Sequence, residues 1–382
     1  MQEKNLEEVE KEEKLYGDTN NAVVAKPYNP LDVDIISQQV VLRNIFDRLV
    51  HNEIILDPDF QRNDQLWSPK QQSRLIESLL IRIPLPTFYF DCTLDETWTV
   101  VDGLQRLTAL NNFVVRKKDD PLKLRLTELE YLSEYENLSY EELPRMLQRR
   151  LQEQTVFAYI IRPGTPDKVK TSIFERINTG GLSLNAAEIR NSVYRGTAAK
   201  AVRDMADFDE FKQATRFKIS PARMLDREFT ARFAIFYLLG YENYKGNMEE
   251  FFATGMSFLN QMKYDSAEVT KMLNSFKESM VLAQNVFGEY AFRKYLKNIN
   301  DKWIFGPINR AVFECVSVCF AKLNNDARCK ITENAVKFFD GYKQLFAGDF
   351  YSGINSGTGT EEHVNIRYKE MNKFISEFLE TV

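Results

Sequence analysis

Apolar residues alternate, or recur at helical spacing, in a regular order through the first half of the chain. Four runs have the alternation and the β-branched or aromatic content of strands. The first begins at Ile54, and the others span Thr87–Phe90, Trp98–Val101 and Gln154–Ile161. Five runs place apolar residues every three or four positions and are predicted to be helices. Four span Ser37–Leu49, Leu104–Phe113, Val169–Ile177 and Ser183–Tyr194, and the fifth starts at Pro69 and stops before Pro84. Ser37 and Ser68 precede two of these helices and are predicted to be their N-caps.

The second half is predicted to be helical throughout. From about residue 197 no run has a convincing strand pattern, and the predicted amphipathic helices are Phe208–Phe211, Phe229–Leu239, Met248–Met262, Ala267–Phe287, Tyr290–Tyr295, Ile308–Leu323, Thr332–Phe346 and Val364–Leu379. The Gly- and Ser-rich run 348–360 is predicted to be a loop. We therefore predict an α+β fold class, with an acidic disordered tail over residues 1–26, an α+β domain over 27–196 and an all-α domain over 197–382.

Charge and composition exclude several classes of protein. The net charge is −5, and residues 1–18 hold seven acidic residues against three lysines, which leaves −1 for the rest of the chain. A nearly neutral body is not a bulk electrostatic nucleic-acid binder, although a local basic surface remains open. The apolar runs are too short for a membrane helix and the start lacks the blocks of a signal peptide, so we expect a cytoplasmic protein without membrane partners. Cys315 and Cys319 are expected to be buried thiols rather than metal ligands.

The segment Trp98–Leu110 carries the chemistry that the rest of the chain surrounds. A strand that turns through Asp102 and Gly103 into a helix leaves backbone N–H groups free at the helix start, where the helix dipole favours an anion, above all phosphate. Gln105 and Arg106 lie in the first turn. A basic residue there opposes the dipole, so Arg106 is misplaced unless something negative lies close to it.

Four segments in register resemble a known family. They are Phe60–Arg62 with Trp67, Leu75–Pro86, Val101–Leu110 and Phe174–Ser183. Together they resemble the N-terminal domain of GmrSD-type modification-dependent restriction enzymes, a member of the ParB/sulfiredoxin-like superfamily. The resemblance implies a ParB/sulfiredoxin-like N-terminal domain that binds a nucleotide and hydrolyses it, with Mg²⁺ as the expected cofactor, in defence against foreign DNA.

The family signature Asp-Gly-Gln-Gln-Arg is matched at Asp102, Gly103, Gln105 and Arg106, whereas Leu104 departs from it. The resemblance implies that Asp102 holds Mg²⁺ or orients water, that Gln105 orients the attacking water and that Arg106 clamps phosphate. The alternatives are that Asp102 caps the helix, that Gln105 bonds neighbouring backbone and that Arg106 forms a surface ion pair. The departure weakens the case for catalysis more than the case for binding, since Leu104 leaves the shared face and can pack inward.

Further residues are assigned to the nucleotide or to DNA. The predicted nucleotide-binding set is Gln61, Arg62, Gly103, Arg106, Thr108, Arg176, Asn178 and Gly180. An ordinary asparagine–glycine helix end explains Asn178 and Gly180 equally well. The basic run from Lys212 to Arg232 is interpreted as a DNA or nucleotide-phosphate contact, as a brace for the active cleft, or as a helical face with internal salt bridges.

Three functions follow from this interpretation. The first is a nucleotide-binding, NTP-hydrolysing defence protein whose partners include DNA, a separate nuclease subunit and a second copy of itself. The second is a catalytically silent nucleotide sensor or DNA-binding module that recruits the nuclease. The third is a ParB-like DNA nuclease. The two histidines, His51 and His363, stand in no recognisable HNH nuclease block, so we expect no self-contained nuclease of that type.

Overall fold

A computed structural model describes residues 33–56, 67–94, 97–166, 169–170, 173, 190, 194–221, 224–297 and 303–382. These residues fall into two compact units, one within Ala25–Val193 and one containing Tyr194–Val382. A sheet and its helices form the first unit, and the second is mostly helical. The α+β fold class is therefore confirmed. Within this described part of the chain, no helix is both long and apolar enough to cross a membrane.

The N-terminal unit is built on a five-stranded mixed sheet. Its strands are β1 (Ile35–Val41), β2 (Ile54–Ile55), β3 (Phe88–Leu94), β4 (Thr97–Asp102) and β5 (Thr155–Ile161). Their order across the sheet is β1-β5-β3-β4-β2. Strands β5 and β3 pair in parallel, as do β4 and β2, whereas β1–β5 and β3–β4 are antiparallel. Strand β4, which leads into the predicted site, thus lies inside the sheet.

One face of this sheet carries the hydrophobic core. Alternation buries Phe88 and Phe90 completely on this face, where Val100 and Ala158 join them. The helices of this unit are α1 (Leu42–Val50), α2 (Pro69–Leu80), α3 (Leu104–Leu110), which continues as a π-helical turn over Asn111–Val115, and α4 (Arg145–Glu153). Two short 3₁₀ turns, Ser133–Tyr135 and Tyr140–Glu142, precede α4.

Two N-cap residues were predicted in this unit, and one prediction was wrong. Ser68 caps α2 as predicted, because its hydroxyl accepts a hydrogen bond from the Gln71 amide while the Gln71 side chain accepts one from the Ser68 amide. Ser37 does not cap a helix. It lies in β1 opposite Tyr159, and the first helix begins only at Leu42. Pairing with β5 outweighs the helical spacing of these residues, since β preference depends on the neighbouring strand.

The C-terminal unit contains ten α-helices among its described residues, two 3₁₀ turns (Tyr241–Asn243 and Gly288–Tyr290) and one hairpin. The helices are α5 (Thr197–Asp207), α6 (Asp209–Ala214), α7 (Leu225–Leu239), α8 (Met248–Asn260), α9 (Ala267–Phe287), α10 (Arg310–Ala321), α11 (Asn325–Glu333), α12 (Ala335–Leu345), α13 (Asp349–Asn355) and α14 (Glu361–Glu380). Buried aromatic rings fill its core; Phe229 and Phe292, for example, both contact Phe313. Cys315 and Cys319 are buried free thiols, as expected.

Three predicted features of this unit were wrong. Strands β6 (Arg293–Lys297) and β7 (Trp303–Ile308) form an antiparallel hairpin where no strand was expected and where Tyr290–Tyr295 was assigned to a helix. Tyr295 faces the core while Leu296 is exposed, an alternation too short to recognise in the sequence. Helix α13 occupies the predicted loop, because Phe350 and Ile354 are buried at i,i+4 spacing. The predicted helix Thr332–Phe346 is divided at Asn334.

Candidate functional site

The Asp102–Gly103 turn connects β4 to α3, as the sequence predicted. Gly103 has a φ of +98° and immediately precedes the helix. Glycine tolerates this left-handed conformation, whereas residues with a side chain are strained in it. A Cβ at this position would also lie 2.5 Å from Cδ1 of Phe88. The turn therefore needs glycine both for its backbone conformation and for its packing.

Arg106 reaches back from the first turn of α3 to the turn itself. Its Nη2 donates to Oδ2 of Asp102 at 2.6 Å, and its Nη1 donates to the backbone oxygens of Pro86 and Thr87. The guanidinium carbon also lies 4.6 Å from the centre of the Phe88 ring. These contacts fix the arginine between the start of the helix and the segment that enters β3, so its position is set before any ligand binds.

The charge of Asp102 explains how a basic residue such as Arg106 is accommodated at a helix start. Burial lowers the pKa of the Arg106 guanidinium below its ordinary value, and the neighbouring Asp102 carboxylate offsets only part of this shift. The side chain of Arg106 is 11% exposed and that of Asp102 is 34% exposed. Asp102 thus supplies the negative charge that offsets a cation at a helix start.

Asp102 has remaining capacity to accept a ligand. Its Oδ2 binds Arg106, whereas its Oδ1 accepts no hydrogen bond from the residues that the structure describes. An ionised carboxylate offers about four lone-pair directions. A partly exposed carboxylate with one free oxygen can bind a cation or accept a proton.

Gln105 holds the backbone of Trp67. Its Oε1 accepts a hydrogen bond from the Trp67 amide at 3.1 Å, and Nε2 of Gln72 donates to the Trp67 carbonyl at 2.7 Å. The two glutamines therefore fix both polar groups of one residue at the start of α2. Of the two interpretations of Gln105, the hydrogen bond to neighbouring backbone is the one seen.

Two residues of this network were missed in the sequence. Gln72 also accepts from Nδ2 of Asn112 at 3.1 Å, and Asn112 accepts from Nε of Arg116 at 2.7 Å. Gln72 and Asn112 are buried. A polar residue on the apolar face of a predicted helix could have indicated this network, because polar groups are usually buried only with hydrogen-bond partners. The network extends from the Trp67 backbone to the π-helical turn, a distortion frequent at functional sites.

Leu104 and Thr108 lie on the packed side of α3. Leu104 is partly buried against the core, which agrees with the inward packing considered for this departure from the family signature. Thr108 is buried, and its hydroxyl has no hydrogen-bond partner among the described residues. The structure therefore does not display Thr108 on the surface beside Asp102.

Tyr89 is a neighbour of the turn that sequence reasoning missed. It pairs with Asp102 across β3 and β4, and its ring stacks on Tyr159 with centroids 5.0 Å apart. Burial raises the pKa of Tyr89, and the nearby Tyr159 and Asp102 raise it further. The phenol therefore stays neutral beside Asp102. Its signal in the sequence was the tyrosine between two buried phenylalanines.

Several predicted site residues cannot be placed. Gln61, Arg62, Arg176, Asn178 and Gly180 lie outside the described residues. Their assignment to the nucleotide stays a prediction.

The basic run Lys212–Arg232 is engaged in internal ion pairs where the structure describes it. Nε of Arg232 binds Glu228 at 2.9 Å and its Nη1 binds Glu314 at 3.2 Å. Lys212 binds Asp207 at 3.3 Å. The interpretation as a face with salt bridges therefore holds for Arg232 and Lys212, and Arg232 is directed towards the core of its unit.

Asp102 belongs to no cluster of protein metal ligands among the described residues. No group of three or more His, Cys, Asp or Glu side chains there is arranged to hold a metal ion. Mg²⁺ is commonly bound by one or two carboxylates together with water and substrate phosphates. The free oxygen of Asp102 fits that mode and does not fit a cage built from protein groups alone.

Comparison with known families classifies the segment that contains this site. Residues 42–195 match the GmrSD restriction endonuclease N-terminal domain, the family that the four motifs resemble. No curated protein matches the chain.

Proposed function

We propose that the chain binds a nucleoside triphosphate at the Asp102–Arg106 pair and hydrolyses it with Mg²⁺, in a DNA restriction setting. The observation that carries this proposal is the pair itself. A prearranged guanidinium lies at a glycine turn where backbone can approach a ligand closely, beside a carboxylate that uses only one oxygen among the described residues. The family match supports the restriction setting.

Arg106 is the phosphate-binding group in this proposal. Arginine presents a planar fork of donors that matches phosphate, and charge-assisted bonds of this kind are about twice as strong as neutral ones. Its contacts to the Pro86 and Thr87 carbonyls keep the fork directed at the turn while a phosphate oxygen binds. Arg106 would neutralise the charge that develops on the transferred phosphoryl group.

Asp102 is the metal-binding group. Its Oδ1 would hold the cation, and the ion pair of Oδ2 with Arg106 keeps the carboxylate oriented. When bound, Mg²⁺ would neutralise phosphate charge and polarise the bond to the leaving group. Without a cation the carboxylate repels a triphosphate, so nucleotide affinity should depend on Mg²⁺.

Gln105 acts in this proposal as a positioning residue. It holds the amide of Trp67, which lies five residues after the predicted ligand Arg62 in the chain. Gln72 secures the same residue from the other side. Loss of Gln105 should therefore raise the KM for nucleotide more than it lowers kcat, because its effect on the ligand is indirect.

A second candidate function is a nucleotide sensor that binds without turnover. One observation favours it: Leu104 packs inward where the family has glutamine. This candidate shares the binding site and differs only in the chemical step.

Phosphate release from NTPs separates the two candidates. The wild type with Mg²⁺ should release phosphate, and Asp102→Asn and Arg106→Ala should each lower the rate by at least about 100-fold. EDTA should have the same effect. The control is Asp120→Asn, since Asp120 forms an equivalent i,i+4 pair with Arg116 at 2.7 Å in the same unit. Binding without turnover in the wild type would select the sensor. No binding at all would reject both.

A further inference from the structure

An open cleft in the N-terminal unit is lined by four arginines. It has a volume of about 750 Å³, and the side chains that matter here are those of Arg82, Arg145, Met146, Arg149, Arg150 and Glu153. All of them lie outside the Asp102–Arg106 pair and outside the basic run of the C-terminal unit. We name this feature the arginine cleft.

Helix α4 supplies most of the arginine cleft. Leu147 and Leu151 anchor the helix in the core. Arg145 and Arg149 are four residues apart on the outer face, which separates them by about 6 Å along the helix axis. The sequence thus places two exposed guanidiniums in a row on a rigid support.

Arg150 and Arg82 join this row to the end of helix α2. Nη1 of Arg150 donates to the backbone oxygen of Leu80 at 2.9 Å, which ties the two helices together at the cleft. Arg82 follows the end of α2 with a φ of +68°, a left-handed conformation uncommon for arginine. Its exposed side chain lines the same cleft.

The arginine cleft concentrates positive charge on a chain whose net charge is −5. Its arginines face one lining carboxylate, Glu153, which binds Nε of Arg149 at 3.0 Å. The first turn of α4 has no acidic residue, although acidic residues are favoured there and a basic residue such as Arg145 is not. Like charges at i,i+4 spacing repel, so this arrangement works against the stability of α4. An external anion would relieve that repulsion.

We propose that the arginine cleft binds the phosphate backbone of double-stranded nucleic acid. Every basic residue that lines it is arginine, whose fork binds phosphate oxygens bidentately. The cleft is open and lies beside a straight helical row of guanidiniums, which suits an extended polyanion. Met146 is 66% exposed beside Arg145 and offers an apolar contact to sugar carbons. This surface acts independently of nucleotide at the Asp102–Arg106 pair.

The test measures binding of the full chain to a short fluorescent DNA duplex by anisotropy at several salt concentrations. The variant Arg145→Glu/Arg149→Glu should bind at least about tenfold more weakly and should lower the salt slope by about 0.9 per lost phosphate contact. The matched control is Arg216→Glu/Lys218→Glu, which reverses two exposed charges in the basic run of the other unit. The control should bind like the wild type. Equal loss in both double variants, or loss only in the control, would overturn the proposal.

A gain of affinity provides an independent readout that misfolding cannot mimic. Glu153→Gln removes the carboxylate of the cleft and frees Arg149, so DNA should bind several times more tightly with a steeper salt slope. Weaker or unchanged binding would contradict the proposal. Poly-glutamate serves as a probe for an acidic protein partner. If the wild type binds poly-glutamate but not DNA, and Arg145→Glu/Arg149→Glu abolishes that binding, the cleft belongs to an acidic protein and the nucleic-acid proposal is rejected.

Discussion

Each unit of the molecule contains an arginine–carboxylate pair of the same length, in opposite surroundings. Nη2 of Arg106 lies 2.6 Å from Asp102 in the N-terminal unit, and Nη2 of Arg367 lies 2.6 Å from Glu314 in the C-terminal unit. Asp102 is 34% exposed, whereas Glu314 and Arg367 are both 0% exposed. Bond length alone therefore does not reveal what such a pair does.

The two pairs differ in how completely their polar atoms are used. Glu314 accepts from Arg367 on one oxygen and from Arg232 on the other, and Arg367 also donates to the carbonyls of Gly353 and Thr358. Asp102 uses only one oxygen among the described residues. A pair whose carboxylate is fully used holds a fold together. A partly exposed pair with a free oxygen can exchange partners with a ligand.

Breaking the buried pair should have the largest effect. Glu314→Gln leaves Arg367 without its carboxylate partner in the core, whereas Arg232 keeps Glu228. Removal of one partner from a buried ion pair costs about 3–5 kcal/mol. Urea unfolding followed by circular dichroism should show this loss in the free energy of unfolding. A loss below about 1 kcal/mol, the range of exposed pairs, would mean that Glu314 is not the organising group of this core.

The turn beside the exposed pair should be the next most sensitive position. Gly103→Ala should cost about 2–3 kcal/mol, because it adds a collision with Phe88 to the strain of a positive φ. Gly164→Ala is the matched control, since Gly164 has a φ of +97° and open space around it. The control should cost only the backbone strain, about 1–2 kcal/mol. Equal losses in thermal unfolding would show that the Phe88 contact is unimportant.

Breaking the exposed pair should affect stability far less than function. Asp102→Asn should lower the free energy of unfolding by no more than about 1 kcal/mol, because solvent screens a partly exposed pair. Phosphate release should nevertheless be lost. A stability loss as large as that of Glu314→Gln would contradict the contrast between the two pairs.

Removing the unpaired hydroxyl of Thr108 should have the smallest effect. Thr108→Val keeps the shape of the side chain and removes a buried group that has no partner among the described residues. Its unfolding free energy should be unchanged or raised by up to about 1 kcal/mol. A loss above about 2 kcal/mol would indicate that the hydroxyl is hydrogen-bonded after all.

Local patterns predicted the centre of the N-terminal unit well. The strand before Asp102, the glycine turn and the helix bearing Arg106 follow from residues adjacent in sequence, as does the Ser68 cap. Strand β1 was misassigned, because its structure depends on Tyr159 and its neighbours in β5, far along the chain.

The contacts that distinguish the two ion pairs were beyond sequence reasoning. Glu314 and Arg367 are 53 residues apart, and Gln105 meets Trp67 across 38 residues. Neither separation leaves a periodic signal. The spacing of the arginines in α4 can be read from the sequence. That Arg82 lines the same cleft depends on how α2 and α4 pack.

Calorimetric titration of nucleoside triphosphate into the full chain, with and without Mg²⁺, tests the central claim most directly. The wild type and Asp120→Asn should bind nucleotide with Mg²⁺ and bind it much more weakly without. Asp102→Asn should lose the dependence on Mg²⁺, and Arg106→Ala should lose binding in both conditions. Wild-type binding that Arg106→Ala leaves intact, or no binding by the wild type, would contradict the account.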